Sequence, residues 1–402
     1  MIRLFLALLC LMYSSIAVVV AQSSHSEHWN IETRNTWIQL KNNFQSNHFY
    51  IGMHNDGKDN LNENGDFETR TDFYSFNKSR ESTDFRSRFL YISGSYPTMT
   101  ETDFYAYAIN RTADSDKAFH KKCLINYLIH YHNVVGGLLT LSCHMGNPWW
   151  YGEKNNDYAS DYRYISQKHP NAVADILDGT IKLNAQKTVK AQYDEQLDEF
   201  IDMIKQLKDN DGNNIPVVVR LFHEASGNWF WWGDQHCSNQ EYKELFRYTV
   251  DRITCQCNNV MIAYTPDRNW NSMDVKDKFM NRYPGNSYVD IVGYDNYGIN
   301  ESNLQETISQ LQLLSSFAKQ NKKVAALTET GNLALKIPNW FTNCLKPCLT
   351  APGVHLAYVQ IYGSWSSVDG FFFPFNKNSK EAKDFRKCFR NKHIIKIKNP
   401  KF

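Results

Sequence analysis

Long apolar runs are missing from this 402-residue chain beyond its first twenty residues, and no later segment approaches a membrane-spanning length. After residue 25 there is no low-complexity segment and no Pro- or Ser-rich linker. Neither sign of charge dominates; the formal net charge is +2, which gives no electrostatic footprint for nucleic acid. Glycine is scarce, and no Gly-rich phosphate loop occurs. A G-x-S-x-G elbow is also missing, which removes the serine-hydrolase route. His223-Glu224 lacks a second histidine four positions after the first, because residue 227 is glycine, so the zinc-protease motif fails.

What is present begins with a leader. Arg3 precedes the apolar run 4–20, and Val19-Val20-Ala21 supplies modest side chains before Gln22. That pattern predicts a secretory signal peptide over residues 1–21; a retained anchor is the competing reading, because the run is nearly long enough to span. The expected organisation is one catalytic domain over residues 22–391 and a basic tail over 392–402. The expected product is a secreted, extracellular monomer with no membrane contact after cleavage. Eight cysteines remain beyond Cys10, among them Cys255, Cys257, Cys344, Cys348 and Cys388. An even number in an exported chain predicts disulfides, with Cys344 and Cys348 spaced to close a small loop. A zinc site would need a second Cys-x-x-Cys or a His pair, and neither accompanies them. Asn77, Asn110 and Asn300 each head an N-glycosylation triplet.

Eight short apolar runs recur, each ending in a polar or aromatic residue: FYIGMH (49–54), FLYISGSY (89–96), GLLTLSCH (137–144), VVVRLFHE (217–224), VMIAYTPD (260–267), VDIVGYD (289–295), VAALTE (324–329) and LAYVQIY (356–362). Such runs suit strands covered on both faces. Between them lie helical patterns. In the segment 191–212, Tyr193, Leu197, Phe200, Ile201, Ile204 and Leu207 share one face before Asn210-Asp211-Gly212 stops the helix. Strands alternating with helices eight times predict a (β/α)₈ barrel, an α/β fold, as a single domain. Active sites of such barrels lie at the C-terminal strand ends. Those ends carry His54, Tyr96, His144, Glu224, Asp267, Asp295, Glu329 and, just past the last run, Trp365.

Glu224 ends the fourth run and Glu329 the seventh, which places two carboxylates across one mouth. Such a pair divides acid and base roles, because each charge disfavours ionisation of its neighbour. In retaining glycosidases the two stand about 5 Å apart. The plain alternative makes Glu224 an ion-pair partner of Arg220. Aromatics make up 14% of residues, and tryptophans follow three of the strands. Indole faces stack on pyranose C–H faces. Adjacent indoles do not easily share one groove, so Trp231 and Trp232 are read as packing, and Trp149 is chosen over Trp150. His144 ends its strand and is a contact candidate. If the strand pleat holds, His223 faces away from Glu224, and support of the acid is as natural a role as sugar contact.

RLFHEASGNWFWWG resembles the fourth-strand signature of glycoside hydrolase family 26, which is dominated by β-mannanases. YIGMHNDG, ISGSYPTMTETDF, LTLSCHMGNPWW, VDIVGYDNYG and ALTETG match other family segments in order, from about residue 48 to about 366. The resemblance implies a barrel that cleaves β-1,4-mannosidic bonds in mannan or manno-oligosaccharides with retention, without metal or organic cofactor. It implies Glu224 as acid/base and Glu329 as nucleophile, His144 and His223 around the cleavage subsite, Trp229 and Trp365 as platforms, and Tyr297 bonded near Glu329. Mixed-linkage β-glucan or β-1,3-xylan remains an alternative substrate on the same machinery, and a non-catalytic sugar-binding barrel is a further alternative. Ala225-Ser226 departs from the family's common Met-Asn, which puts fine specificity in question more than the chemistry.

Overall fold

In the computed structural model eight parallel strands close into a barrel and follow one another around it in chain order. Residues 25–57, 60–61, 67–68, 87–110, 114–153, 160–161, 165–268 and 278–397 are described. The leader, the Asn77 triplet and the last five residues lie outside them. The strands are Tyr50–His54 (β1), Met99–Asp103 (β2), Leu138–Ser142 (β3), Val217–Arg220 (β4), Val260–Tyr264 (β5), Ile291–Asn296 (β6), Val324–Thr330 (β7) and Tyr358–Ile361 (β8). β1 closes the ring by pairing Tyr50 with Tyr358 on one side and Gly52 with Met99 on the other. Nearly every strand residue is buried, because helices cover the outside and neighbouring side chains fill the inside.

Seven of the eight expected runs coincide with a strand, two of the strands running one residue further. The second does not. FLYIS forms the short helix Arg88–Ser93, capped by the Ser87 side chain and ended by Gly94 at φ 80°. The barrel strand is MTETD, a polar segment whose five residues are all buried. Glu101 and Asp103 meet Arg220 and His144 on the inner face, while Thr100 on the other face bonds the Tyr127 hydroxyl of the covering helix, so burial rests on hydrogen bonds rather than apolar area. Tyr96 therefore precedes β2 at the bottom of the barrel instead of standing at its mouth.

The expected helices form. Val189–Lys205 starts at a Thr188 cap and buries Tyr193, Leu197, Phe200, Ile201 and Ile204. Asn239–Thr254 opens with a capping box between Ser238 and Glu241, and Leu304–Gln320 packs against β6 and β7. Among the described residues no helix is long and apolar enough to cross a membrane.

The expected disulfides are not formed: Cys143, Cys237, Cys255, Cys257, Cys344, Cys348 and Cys388 carry free thiols. Cys344 and Cys348 leave successive helical turns in nearly parallel directions, which is poor geometry for an S–S bond. Burial pushes the thiols of Cys344 and Cys348 up to about 11 and about 12, so they act as small apolar side chains. The tail runs along the barrel bottom, where Ile394 pairs with Phe49 and Ile397 with Tyr96.

Candidate active site

β4 ends at Arg220, and the chain then leaves the strand geometry. Phe222 and Glu224 take φ of 46° and 53°, the left-handed region that costs a non-glycine residue energy. Tertiary bonds hold this elbow. The Tyr242 hydroxyl donates to the Phe222 carbonyl at 3.0 Å, Trp232 Nε1 to the His223 carbonyl at 2.9 Å, and Glu224 N to the Thr265 carbonyl at 2.7 Å. Phe222 packs edge-on against Trp231, Trp232 and Tyr242. Because the pleat is lost after Arg220, the expected separation of His223 from Glu224 does not occur. The His223 ring packs against His144 at 4.6 Å, in the same mouth as the acid.

One carboxylate oxygen each from Glu224, Asp295 and Glu329 lies within 4.8 Å of the others. Such a trio could ligate a cation, but Arg220 already lies among these groups. Its Nη2 donates to Asp295 at 2.6 Å, and its Nη1 donates to Glu329 Oε1 at 2.7 Å and to Glu101. Arg220 is thus the partner of Glu329, not of Glu224. Tyr297 donates its hydroxyl to Glu329 Oε2, so both nucleophile-side oxygens are engaged. Burial pushes Glu329 up, yet Arg220, His223 and the Tyr297 bond overcome it and hold the carboxyl well below its usual range. Among the described residues Glu224 has no cation beside it. Burial, then the charges of Asp295, Glu329 and Asp267, push it well above its usual range, opposed only by the Trp229 indole, whose Nε1 donates to Oε2 at 2.6 Å. The surroundings therefore bias Glu329 toward its ionised form and Glu224 toward its protonated form.

The remaining expected residues are arranged unequally. His144 Nδ1 is held by Asp103 Oδ2 at 2.8 Å, and that carboxylate outweighs burial to raise the imidazole. Nε2 is left toward the mouth. Trp365 is 57% exposed beside Tyr362 and Phe372, open to a ligand face. Trp229 is half-buried over the acid. Trp231 and Trp232 are buried, as expected for packing. Trp149 stacks on His169 at 3.8 Å and donates to Asp175, which ties its indole into the flanking helices. His54 stacks on Tyr362 at 4.2 Å. Ser226 donates to the Asp267 carbonyl at 3.2 Å, and Ala225 is buried, so neither offers an amide beside the acid.

Sequence reasoning missed Glu101 and Asp103, because β2 carries no apolar signal, and missed Arg220 as the partner of Glu329. The available signal was the alternation of acids with threonines in MTETD.

A family model described as "Glycosyl hydrolase family 26" matches residues 69–343. A mannan endo-1,4-beta-mannosidase of Bifidobacterium adolescentis is 32% identical over 284 residues, which is 62% of this chain and 26% of that protein. A mannan endo-1,4-beta-mannosidase of Bacillus subtilis is 32% identical over 185 residues, 44% of each. This chain thus spans less than half the length of these curated relatives. A solved family 26 beta-mannanase from Bacteroides ovatus shares the fold at TM-score 0.72 and 26% identity, covering 92% of this chain and 95% of that one.

Proposed function

Because the chain belongs to glycosyl hydrolase family 26, we propose that it cleaves β-1,4-mannosidic linkages of mannan, glucomannan or galactomannan with retention of configuration. The observation that carries the reading is the pair Glu224 and Glu329, with oxygens within 4.8 Å and opposite electrostatic surroundings. That spacing leaves no room for a water between carboxyl and sugar, and favours double displacement over inversion. Glu329 attacks the anomeric carbon while the proton of Glu224 goes to the departing glycosidic oxygen. Glu224, then ionised, takes a proton from the water that opens the glycosyl ester. Arg220 and Tyr297 orient the nucleophile, and the Trp229 indole orients the acid. His144 and His223 line the cleavage subsite, with Trp229 and Trp365 as platforms; Trp149, held by its stack on His169, is the weakest contact of the set. Mannan as substrate is supported by the activities named for the relatives. The leader pattern supports action outside the cell, and the chain is proposed to act as a monomer.

The test is incubation of the full chain with β-mannan, mixed-linkage glucan and β-1,3-xylan, following reducing ends, early product lengths and the anomer first released. The expected result is oligosaccharide release from mannan with the β-anomer appearing first. Release from glucan or xylan alone moves the substrate; an α-anomer excludes double displacement; tight binding without release makes the barrel a lectin.

A further inference from the structure

Three carboxyls crowd one buried guanidinium beneath the mouth, more than a reaction with one nucleophile requires. Arg220, Glu101 and Asp295 are all fully buried, and Glu329 is nearly so. If all three acids were ionised, the cluster would hold two uncompensated negative charges in a buried site, which buried carboxylates avoid by keeping protons. If Glu329 were the only anion, forming its ester with the sugar would leave Arg220 a buried, unpaired cation, among the costliest states a protein interior holds.

Hydrogen bonding separates the two supporting acids. Asp295 receives two donors of its own, Arg220 Nη2 at 2.6 Å and the Thr328 hydroxyl at 2.7 Å. Glu101 has only a share of Nη1, which it divides with Glu329, and its Oε2 is buried with no hydrogen-bond partner among the described residues. Both carboxyls accept from the Nη1 amino group, and they lie within hydrogen-bonding reach of each other. Only a proton on one of them makes that contact attractive.

Resting on the retaining reading above, we propose that Asp295 is the standing counter-ion of Arg220 and that Glu101 is a neutral carboxylic acid directed at Glu329. The nucleophile then gives up its charge to the sugar without stranding the guanidinium. In the first step a bond forms between Glu329 and the anomeric carbon. The glycosidic bond breaks with its electron pair on the departing oxygen, and that oxygen takes the Glu224 proton. The negative charge moves from Glu329 to Glu224, while Arg220 stays paired to Asp295 throughout. Glu101 and Asp295 are positioning residues, since neither touches the sugar. The charged and titratable groups facing Glu101 are Arg220 from β4, Asp295 from β6, Glu329 from β7, Tyr358 and Tyr362 from β8 and its following turn, and Cys143 after β3. Burial first, then the neighbouring acids, push Glu101 well above the usual carboxylate range against the pull of Arg220, and burial and Glu329 push Asp295 up as well, so it is the two donors on Asp295 that separate the pair.

The deciding measurement is an infrared difference spectrum of the full chain at pH 7, wild type minus Glu101→Gln. The expected difference is the C=O stretch of a protonated carboxylic acid; the Glu224 band, present in both, cancels. A difference confined to the carboxylate stretches overturns the proposal. This readout needs no turnover, so it stands apart from failure of the mannanase reading, which would appear as wild-type protein that releases nothing from mannan. In kinetics, Asp295→Asn lowers kcat by roughly 100-fold or more, at least about ten times further than Glu101→Gln. Equal or reversed losses overturn the assignment of the counter-ion. Should Asp295→Asn fail to fold by circular dichroism, the infrared result on Glu101→Gln decides alone.

Discussion

Glu224 and Glu329 differ less in burial than in what faces them. Glu329 meets a guanidinium and a phenol, whereas Glu224 meets other acids and one indole N–H. The consequence for pH is direct. Glu224 must begin protonated, so kcat/KM on mannan should fall on the alkaline side as it ionises, with the acid side flat until Glu329 is protonated well below its usual range. Stability moves with the same group. A carboxyl raised on folding keeps a proton that the unfolded chain has lost, so its contribution is fully present below the unfolded value of about 4.3 and drains away as pH rises through the folded value. Glu224→Gln should therefore raise Tm over wild type by an amount that grows between pH 4 and pH 8; calorimetry across that range checks it. A constant or shrinking difference would remove the electrostatic account of the acid. Kinetically, Glu329→Ala should lose turnover while still binding manno-oligosaccharide. Glu224→Ala should recover activity on an aryl mannoside when azide is added, because a small anion replaces the base-assisted water. Wild-type rates in the first variant would sink the pair.

The turn after β4 and the turn after β8 set the precision of the mouth. The first stores left-handed backbone at Phe222 and Glu224, held by bonds from Tyr242, Trp232 and Thr265. The second brings Gly363 so near β1 that a Cβ there would lie 2.2 Å from the His54 carbonyl oxygen. Neither partner is the loose end of a side chain, so Gly363→Ala must push the β8 turn off β1 and carry Trp365 with it. The expected outcome is a lower kcat/KM on long mannan chains, read in initial rates, with a smaller loss on an aryl mannoside that does not reach Trp365. Equal losses on both substrates would show that the turn serves the reacting centre instead. Helix capping is a local matter, and Ser238 with Glu241 is the clearest case: a side-chain bond satisfies a neighbouring amide whatever surrounds it. β2 was not legible. Its burial depends on Arg220 and the Met53 carbonyl from other strands and on Tyr127 from a covering helix, and MTETD itself carries no apolar alternation that would mark it as a strand.

At the scale of the molecule, the barrel separates its two ends by chemistry. The C-terminal mouth holds the acids, histidines and indoles, while the other end is closed by the C-terminal segment, with Ile394 buried against Phe49 and Ile395 N bonded to the Phe49 carbonyl. Removing residues 393–402 should lower stability by about 2 kcal/mol for the Ile394 side chain alone, from the apolar area returned to water. Urea unfolding measures this, and kcat should stay at the wild-type level because the mouth is untouched; a loss of kcat would show the ends to be mechanically linked. Alone, the sequence determined the alternation of apolar runs and amphipathic segments, hence the barrel and the strand ends bearing Glu224 and Glu329, because burial on both faces leaves a periodic mark on the residues themselves. Only the tertiary structure decided which acid is biased toward its charged form, since that depends on Arg220 of β4 and on Asp295 and Tyr297 in and just after β6, which the fold brings together. It also decided that His223 joins His144 in the mouth, because the elbow after Arg220 is held by contacts the chain makes only once it is folded.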